Sequence, residues 1–295
     1  MNHQKDLDRT KIPINLKQIE LILNEPEIVT LDNGIEAHII NKGDIDFTRL
    51  DIVFKAGTSI QSKNLVAESA IQLLVDGTTT RSSKDIANEL DYHGAIIDTN
   101  LTKDTAAITL YSLNKHLPKL LPLLCDIITN AAFDQDEFLN YLDRKKHQFI
   151  LNNDRVSYKA MLEFNKLVFG STSAYGRVKE LSDYENIERK DIVEFHNSHF
   201  NTDNIYIIAS GKIKNSTISL INNTIGKIEP SISKKINNNI LVEDVDNIER
   251  FIKKDGSLIS KDSQIYKTDE RAHSVSFDPS GQFVFVSHTR PNAIF

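Results

Sequence analysis

Cysteine occurs once in 295 residues, as Cys125. A disulfide framework within the chain and a cysteine-rich zinc site are therefore both excluded. Cys125 lies in the largely apolar run 117–128 and reads as a buried, inert thiol rather than a nucleophile. Glycine and proline are sparse, at 11 and 7 residues, while 40% of the chain is apolar. That balance describes an ordinary globular protein able to bury a sizeable core, as one large domain or two small ones. Basic charge is not in excess: Lys+Arg 35 against Asp+Glu 41 gives −6. A phosphate backbone needs a concentrated basic patch, so no nucleic-acid partner is expected. No apolar run is long enough to span a bilayer, and the first ten residues lack the apolar segment of a signal peptide. No membrane association and a cytoplasmic location are the expectations. Neither a phosphate-binding glycine loop nor a nucleophile elbow is present.

Taken in order, residues 1–24 read as an extended polar lead-in. Alternation predicts strands over 27–31 and 35–41, joined by the tight-turn signal Asp32-Asn33-Gly34, and a third over 49–56. A loop and short helix follow over 57–77. Ser82 opens a helix through Leu90 that Gly94 ends, with Asp85 in its first turn. A hairpin is expected from 95–100 and 105–111. Leu117, Leu120, Leu121, Leu124 and Ile128 then repeat at three and four residues, the apolar face of a helix. Pro118 fits its first turn, whereas Pro122 predicts a later start or a kink. Helices are expected over 134–152, 157–169, 190–199 and 216–225, with a buried strand at 204–210. This order defines an α+β sandwich, helices covering one face of a largely antiparallel sheet.

The stretch from Gly57 to Gly77 is the most informative. Leu65, Val66, Ile71, Leu73, Leu74 and Val75 give its helix an apolar side, and Gly77 stands at the C-cap position. Glu68 and Gln72, four residues apart, share a face, with Ile71 adjoining it. The sequence Leu31-Asp-Asn-Gly34, a strand ending in Ala56-Gly57, this helix, Asp76-Gly-Thr78 and Leu90-Asp-Tyr-His-Gly94 resembles the amino-terminal domain of the M16 peptidase family (insulinase, pitrilysin, mitochondrial processing peptidase). Gly170-Ser-Thr-Ser-Ala-Tyr-Gly176 and Phe195-His-Asn-Ser-His-Phe200 followed by Asp203-Asn204 extend the resemblance over residues 25–230. It implies an M16/LuxS-like metallohydrolase sandwich. In active members the helix carries H-x-x-E-H, two zinc-binding His and a Glu that activates the metal-bound water.

By that resemblance Glu68 and Gln72 occupy the two His positions and Ile71 that of the catalytic Glu. The third ligand, a Glu on a later helix, would fall within a residue or so of Gln148, where no carboxylate stands. Isoleucine can neither polarise water nor carry a proton. The resemblance therefore implies a silent subunit, a pseudoenzyme without catalytic residues or bound zinc. It would pair with a catalytic M16 sister and bind unfolded peptides, in part by adding them as a strand to a sheet edge. The alternatives are an active zinc endopeptidase with other ligands, Glu68 or the pair His196/His199 foremost, and a non-functional fusion or truncation product.

Other residues have plainer readings. Glu68 reads as a solvated or hydrogen-bonded surface carboxylate, His196 and His199 as structural, and His93 as a helix-end cap near the dipole. Asp98, Asp104, Asp143 and Asp154 form no catalytic dyad, and Arg144-Lys145-Lys146 reads as a solvated helix face. After a polar linker at 231–240 the composition changes. Residues 241–295 contain a strand, the turn Asp278-Pro-Ser-Gly281 and a second strand, a short β-hairpin tail. Its phrase, His273 included, resembles one blade of a lactonase-type (6-phosphogluconolactonase-like) β-propeller. The chain then stops inside the next expected strand, in place of the second domain usual in M16 proteins. A fusion or truncation is the expectation.

Overall fold

The computed structural model describes residues 25–229 and, beyond them, four short strands of backbone. The lead-in at 1–24 and the linker at 231–240 lie outside the described residues. In chain order come β1 (Glu27–Thr30), β2 (Glu36–Asn41), β3 (Phe47–Phe54), α1 (Val66–Gln72), α2 (Ser83–His93), β4 (Ile96–Leu101) and β5 (Ala106–Leu113). Then follow α3 (Leu117–Thr129), α4 (Gln135–Asn153), α5 (Val156–Phe169), α6 (Asp183–Asn186), α7 (Arg189–His199), β6 (Ile205–Gly211) and α8 (Asn215–Thr224). Among these, α6, one turn long, has no counterpart in the expected order.

Six strands form one sheet in the order β1-β2-β6-β3-β5-β4. Four of its pairings are antiparallel. The fifth, β2 with β6, is parallel and brings Ala37 opposite Ile207 and Ile39 opposite Ala209. Because side chains alternate along a strand, Leu50, Ile52 and Phe54 of β3 enter the core with Ile108 and Leu110 of β5. Arg49, Asp51, Thr109 and Tyr111 take the other face. There Arg49 pairs with Asp51 at 2.8 Å and lies 5.5 Å over the Tyr111 ring, and Thr109 Oγ1 donates to Asp51 at 2.7 Å.

Helices supply the rest of the core. α3 buries Leu117, Leu120, Leu121, Leu123, Leu124, Ile127 and Ile128. At about 1.5–3 kcal/mol each, these outweigh the roughly 3 kcal/mol that an interior proline costs. The helix therefore runs unbroken through Pro122, and the expected late start does not occur. α2 has the full capping box, Ser82 and Asp85 exchanging bonds, and ends on Gly94 in the left-handed conformation. The Asp32-Asn33-Gly34 turn also closes the domain: Asn33 Nδ2 donates to the carbonyls of Ile225 at 2.8 Å and Ile228 at 3.1 Å.

In the tail, β7 (Ser257–Ile259) pairs antiparallel with β8 (Ile265–Lys267), and β9 (Ala272–Phe277) with β10 (Val284–His288). The two strands expected around the 278–281 turn thus pair, and the turn itself lies outside the described residues.

Candidate functional site

The site is built on α1. The buried side chains Val66, Ala67, Ser69, Ala70 and Ile71 fix its orientation toward the sheet. Gln61 Oε1 accepts from Ala67 N–H at 3.1 Å and satisfies one free donor of the helix start. Leu65 enters the helix at φ 71°, a left-handed conformation that costs a non-glycine residue about 1–2 kcal/mol. Its burial holds it there. A 3₁₀ turn, Leu73–Asp76, then leads to Gly77 at φ 144°.

Ile71 is fully buried in the core. Glu68 and Gln72 do share the face that adjoins it, but different elements hold them. Gln72 Nε2 donates to Thr99 Oγ1 of β4 at 2.8 Å. Glu68 Oε1 accepts from Lys145 Nζ of α4 at 3.0 Å, and its Oε2 pairs with Lys179 Nζ from the segment after α5. Only about 19% of the Glu68 side chain is exposed. Burial alone would raise its pKa, but Lys179 and then Lys145 outweigh burial and hold the carboxyl below the usual range.

Several expectations are corrected here. Glu68 is hydrogen-bonded, one of the two forms expected, but it is mostly buried rather than on the surface. The α4 residue that meets it is Lys145; Gln148 is exposed to solvent. The run Arg144-Lys145-Lys146 is not a simple solvated face, since Lys145 holds Glu68 and Lys146 reaches Glu185 at 3.1 Å. His93 caps no backbone group. It partners Glu89 at 3.2 Å and His116 at 3.2 Å, and Gly94 closes the helix.

The remaining candidates lie apart from α1. His196 is buried, its Nε2–H donating to the Ile128 carbonyl at 2.8 Å between the rings of Phe133 and Phe200. His199 packs on Phe195, its Nδ1 buried without a hydrogen-bond partner. Burial lowers the pKa of both imidazoles. The Cys125 thiol is pushed up to about 11 by burial, as an inert thiol should be. Asp104 is held by Tyr175 Oη and, at 3.4 Å, by Ser59 Oγ. Asp143 meets His147 at 3.6 Å on the exposed side of α4.

A zinc ion of the kind active M16 peptidases use is not matched by this donor set. The first position offers a carboxylate already held by two ammonium groups, and the second an amide bonded to Thr99. The water-activating position is an aliphatic side chain in the core. Among the described residues no three His, Cys, Asp or Glu side chains cluster as a metal site. Sequence reasoning missed Lys179 as a partner of Glu68. The two are 111 residues apart, so no local spacing links them.

Residues 46–159 match the family model Insulinase (Peptidase family M16). The mitochondrial-processing peptidase subunit beta of Rattus norvegicus is 22% identical over 213 residues, covering 70% of this chain and 42% of that protein. An uncharacterized zinc protease of Rickettsia felis is 24% identical over 205 residues, covering 65% of this chain and 47% of that protein. The crystal structure of a peptidase M16 inactive domain from Pseudomonas fluorescens superposes with a TM-score of 0.64 at 21% identity. It covers 72% of this chain and 53% of that one. The described body is therefore an α+β domain of M16 fold, and residues 46–159 of it resemble the peptidase M16 (insulinase) family. It spans less than half the length of the curated relatives it matches. These matches give the lactonase-type resemblance of the tail no support.

Proposed function

We propose that this chain is a non-catalytic M16-type domain that binds extended peptide and works beside a zinc-bearing M16 chain. The observation that carries the reading is the fate of the motif helix. Where active relatives need a general base, Ile71 fills the core, and where they need a ligand, Glu68 is neutralised by Lys145 and Lys179. Reverting one residue would not rebuild the chemistry, because base, ligands and electrostatics have all changed.

Two features support binding without cleavage. Among the described residues β4 is an edge strand paired with β5 alone, and it adjoins the motif helix through the Gln72–Thr99 bond. An edge beside α1 is where an extended peptide would add by backbone hydrogen bonds. α5, for its part, buries none of its 14 residues and leaves Val156, Met161 and Leu167 exposed. The tail strand β9 lies against this helix, yet these apolar side chains stay exposed, which supports a partner-covered role.

The test mixes the full chain with a catalytic M16 chain and follows co-elution and hydrolysis of a quenched-fluorescent peptide. Co-elution at micromolar concentration, with cleavage altered only in the mixture, supports the reading. Cleavage by this chain alone, stopped by a chelator, refutes it in favour of a zinc peptidase with other ligands.

A further inference from the structure

Four cations converge on the loop and helix that run from Gly57 to Gln72. Lys145 and Lys179 reach Glu68 from α4 and from the segment after α5. Arg177 Nη1 donates to the Gln61 carbonyl at 3.1 Å. Lys103 belongs to the turn between β4 and β5. Its carbonyl accepts from Ser59 N–H at 2.7 Å, while the neighbouring Thr102 carbonyl accepts from Thr58 N–H at 3.1 Å. Gly57 makes this docking possible, since a Cβ there would come within 2.2 Å of the Lys103 carbonyl oxygen.

The charges do not balance. Glu68 already serves two lysines, and Arg177 is satisfied by a neutral carbonyl. Asp104, next to Lys103 in sequence, is held instead by Tyr175 and Ser59. Lys103 is half-buried, and among the described residues it has no acid within ion-pair distance. Burial first, then repulsion from Lys179 and Arg177, holds its pKa below the usual lysine range. A desolvated cation facing two others costs stability unless an anion meets it. The turn that carries Lys103 is also the end of edge strand β4.

We propose that Lys103, Arg177 and Lys179 form a carboxylate-binding site at the end of the β4 edge, taking an acidic group of an extended peptide. The proposal rests on the peptide-binding reading and deepens it: the helix that carries Glu68 and Ile71 anchors one side of a cation cluster. The carboxylate comes either from an acidic side chain or from the peptide's own C-terminus, and the same three cations serve both.

The experiment uses the full chain and dye-labelled extended peptides in three forms: one with an internal Glu and a free C-terminus, one with that Glu replaced by Gln, and one amidated at the C-terminus. Binding is followed by anisotropy for the wild type and for Lys103→Met. One carboxylate form should bind about tenfold more tightly than its neutral counterpart, as a charge-assisted hydrogen bond predicts. That preference should vanish in Lys103→Met, and the form that loses affinity identifies the source. Equal affinity for all three peptides overturns the site but leaves peptide binding standing.

Absence of all peptide binding overturns the peptide reading, and inorganic phosphate then tests the site alone. At fixed ionic strength, phosphate should raise the melting temperature of the wild type and not that of Lys103→Met; equal shifts overturn the site. Lys103→Met should itself melt no lower than the wild type, since it removes an unpaired cation. A clear drop would show that Lys103 is structural and contradict the proposal.

Discussion

Glu68 and Ile71, three residues apart on α1, meet burial in opposite ways. Ile71 is apolar and closes the core, so Ile71→Glu would bury an unpaired carboxylate. A loss of about 3–5 kcal/mol is expected, read as a fall in the urea midpoint at neutral pH. A variant as stable as the wild type would show that the position reaches solvent. Glu68 is compensated by Lys145 and Lys179, whose side chains are 29% and 36% exposed. After Glu68→Gln both lysines can partly rehydrate, so the cost should be about 1–2 kcal/mol. The sign of the pH effect follows from the depressed pKa. The Glu68 contribution is complete above its ordinary value of 4.5 and is lost as pH falls through the lower folded value. Urea titrations from pH 5 downward should show this loss in the wild type and less of it in Glu68→Gln. That Ile71, Gln72 and Gln148 offer neither an imidazole nor a carboxylate was legible in the sequence, because a side chain's identity is local. The ammonium pair on Glu68 was not, because Lys179 reaches it only through the fold.

Among the elements, α7 and α3 meet through His196, whose Nε2–H bonds the Ile128 carbonyl. A carbonyl only accepts, so Nε2 carries the proton. Burial holds this imidazole below its ordinary 6.5, so its contribution is complete above pH 6.5 and is lost as pH falls below it. His199, also depressed by burial, adds in the same direction. His196→Phe should be less stable than the wild type at pH 8, since the Ile128 carbonyl loses its donor. It should also lose less stability between pH 6.5 and 5, which chemical denaturation at each pH would measure. The loop before α1 supplies a second case. Gly57→Ala would force a methyl into the backbone at Lys103 and Asp104, at 2.2–2.4 Å. A marked drop in melting temperature is expected, and an unchanged one would mean that the loop does not pack on the turn. Most element boundaries were legible from capping residues and periodicity, Ser82, Asp85 and Gly94 above all. The later start expected from Pro122 failed because the local rule against interior proline ignores the seven side chains that α3 buries.

For the whole molecule, the sheet order was not legible. The parallel β2–β6 pairing joins strands separated by most of the domain, and nothing local in either strand encodes its neighbour. The helices' preference for one sheet face was legible, through the alternation that sends Leu50, Ile52 and Phe54 inward. α5, against which the tail strand β9 lies, has no fully buried residue and keeps Val156, Met161 and Leu167 exposed. A charged substitution there, Leu167→Glu, should weaken association with a catalytic M16 chain by tenfold or more while leaving the melting temperature unchanged, as gel filtration and calorimetry would show. The most direct test of the central claim is metal content by mass spectrometry on protein purified without added zinc, paired with a quenched-fluorescent peptide assay. Zinc near zero and no cleavage by the chain alone are the expected results. One zinc per chain with chelator-sensitive cleavage would contradict the claim.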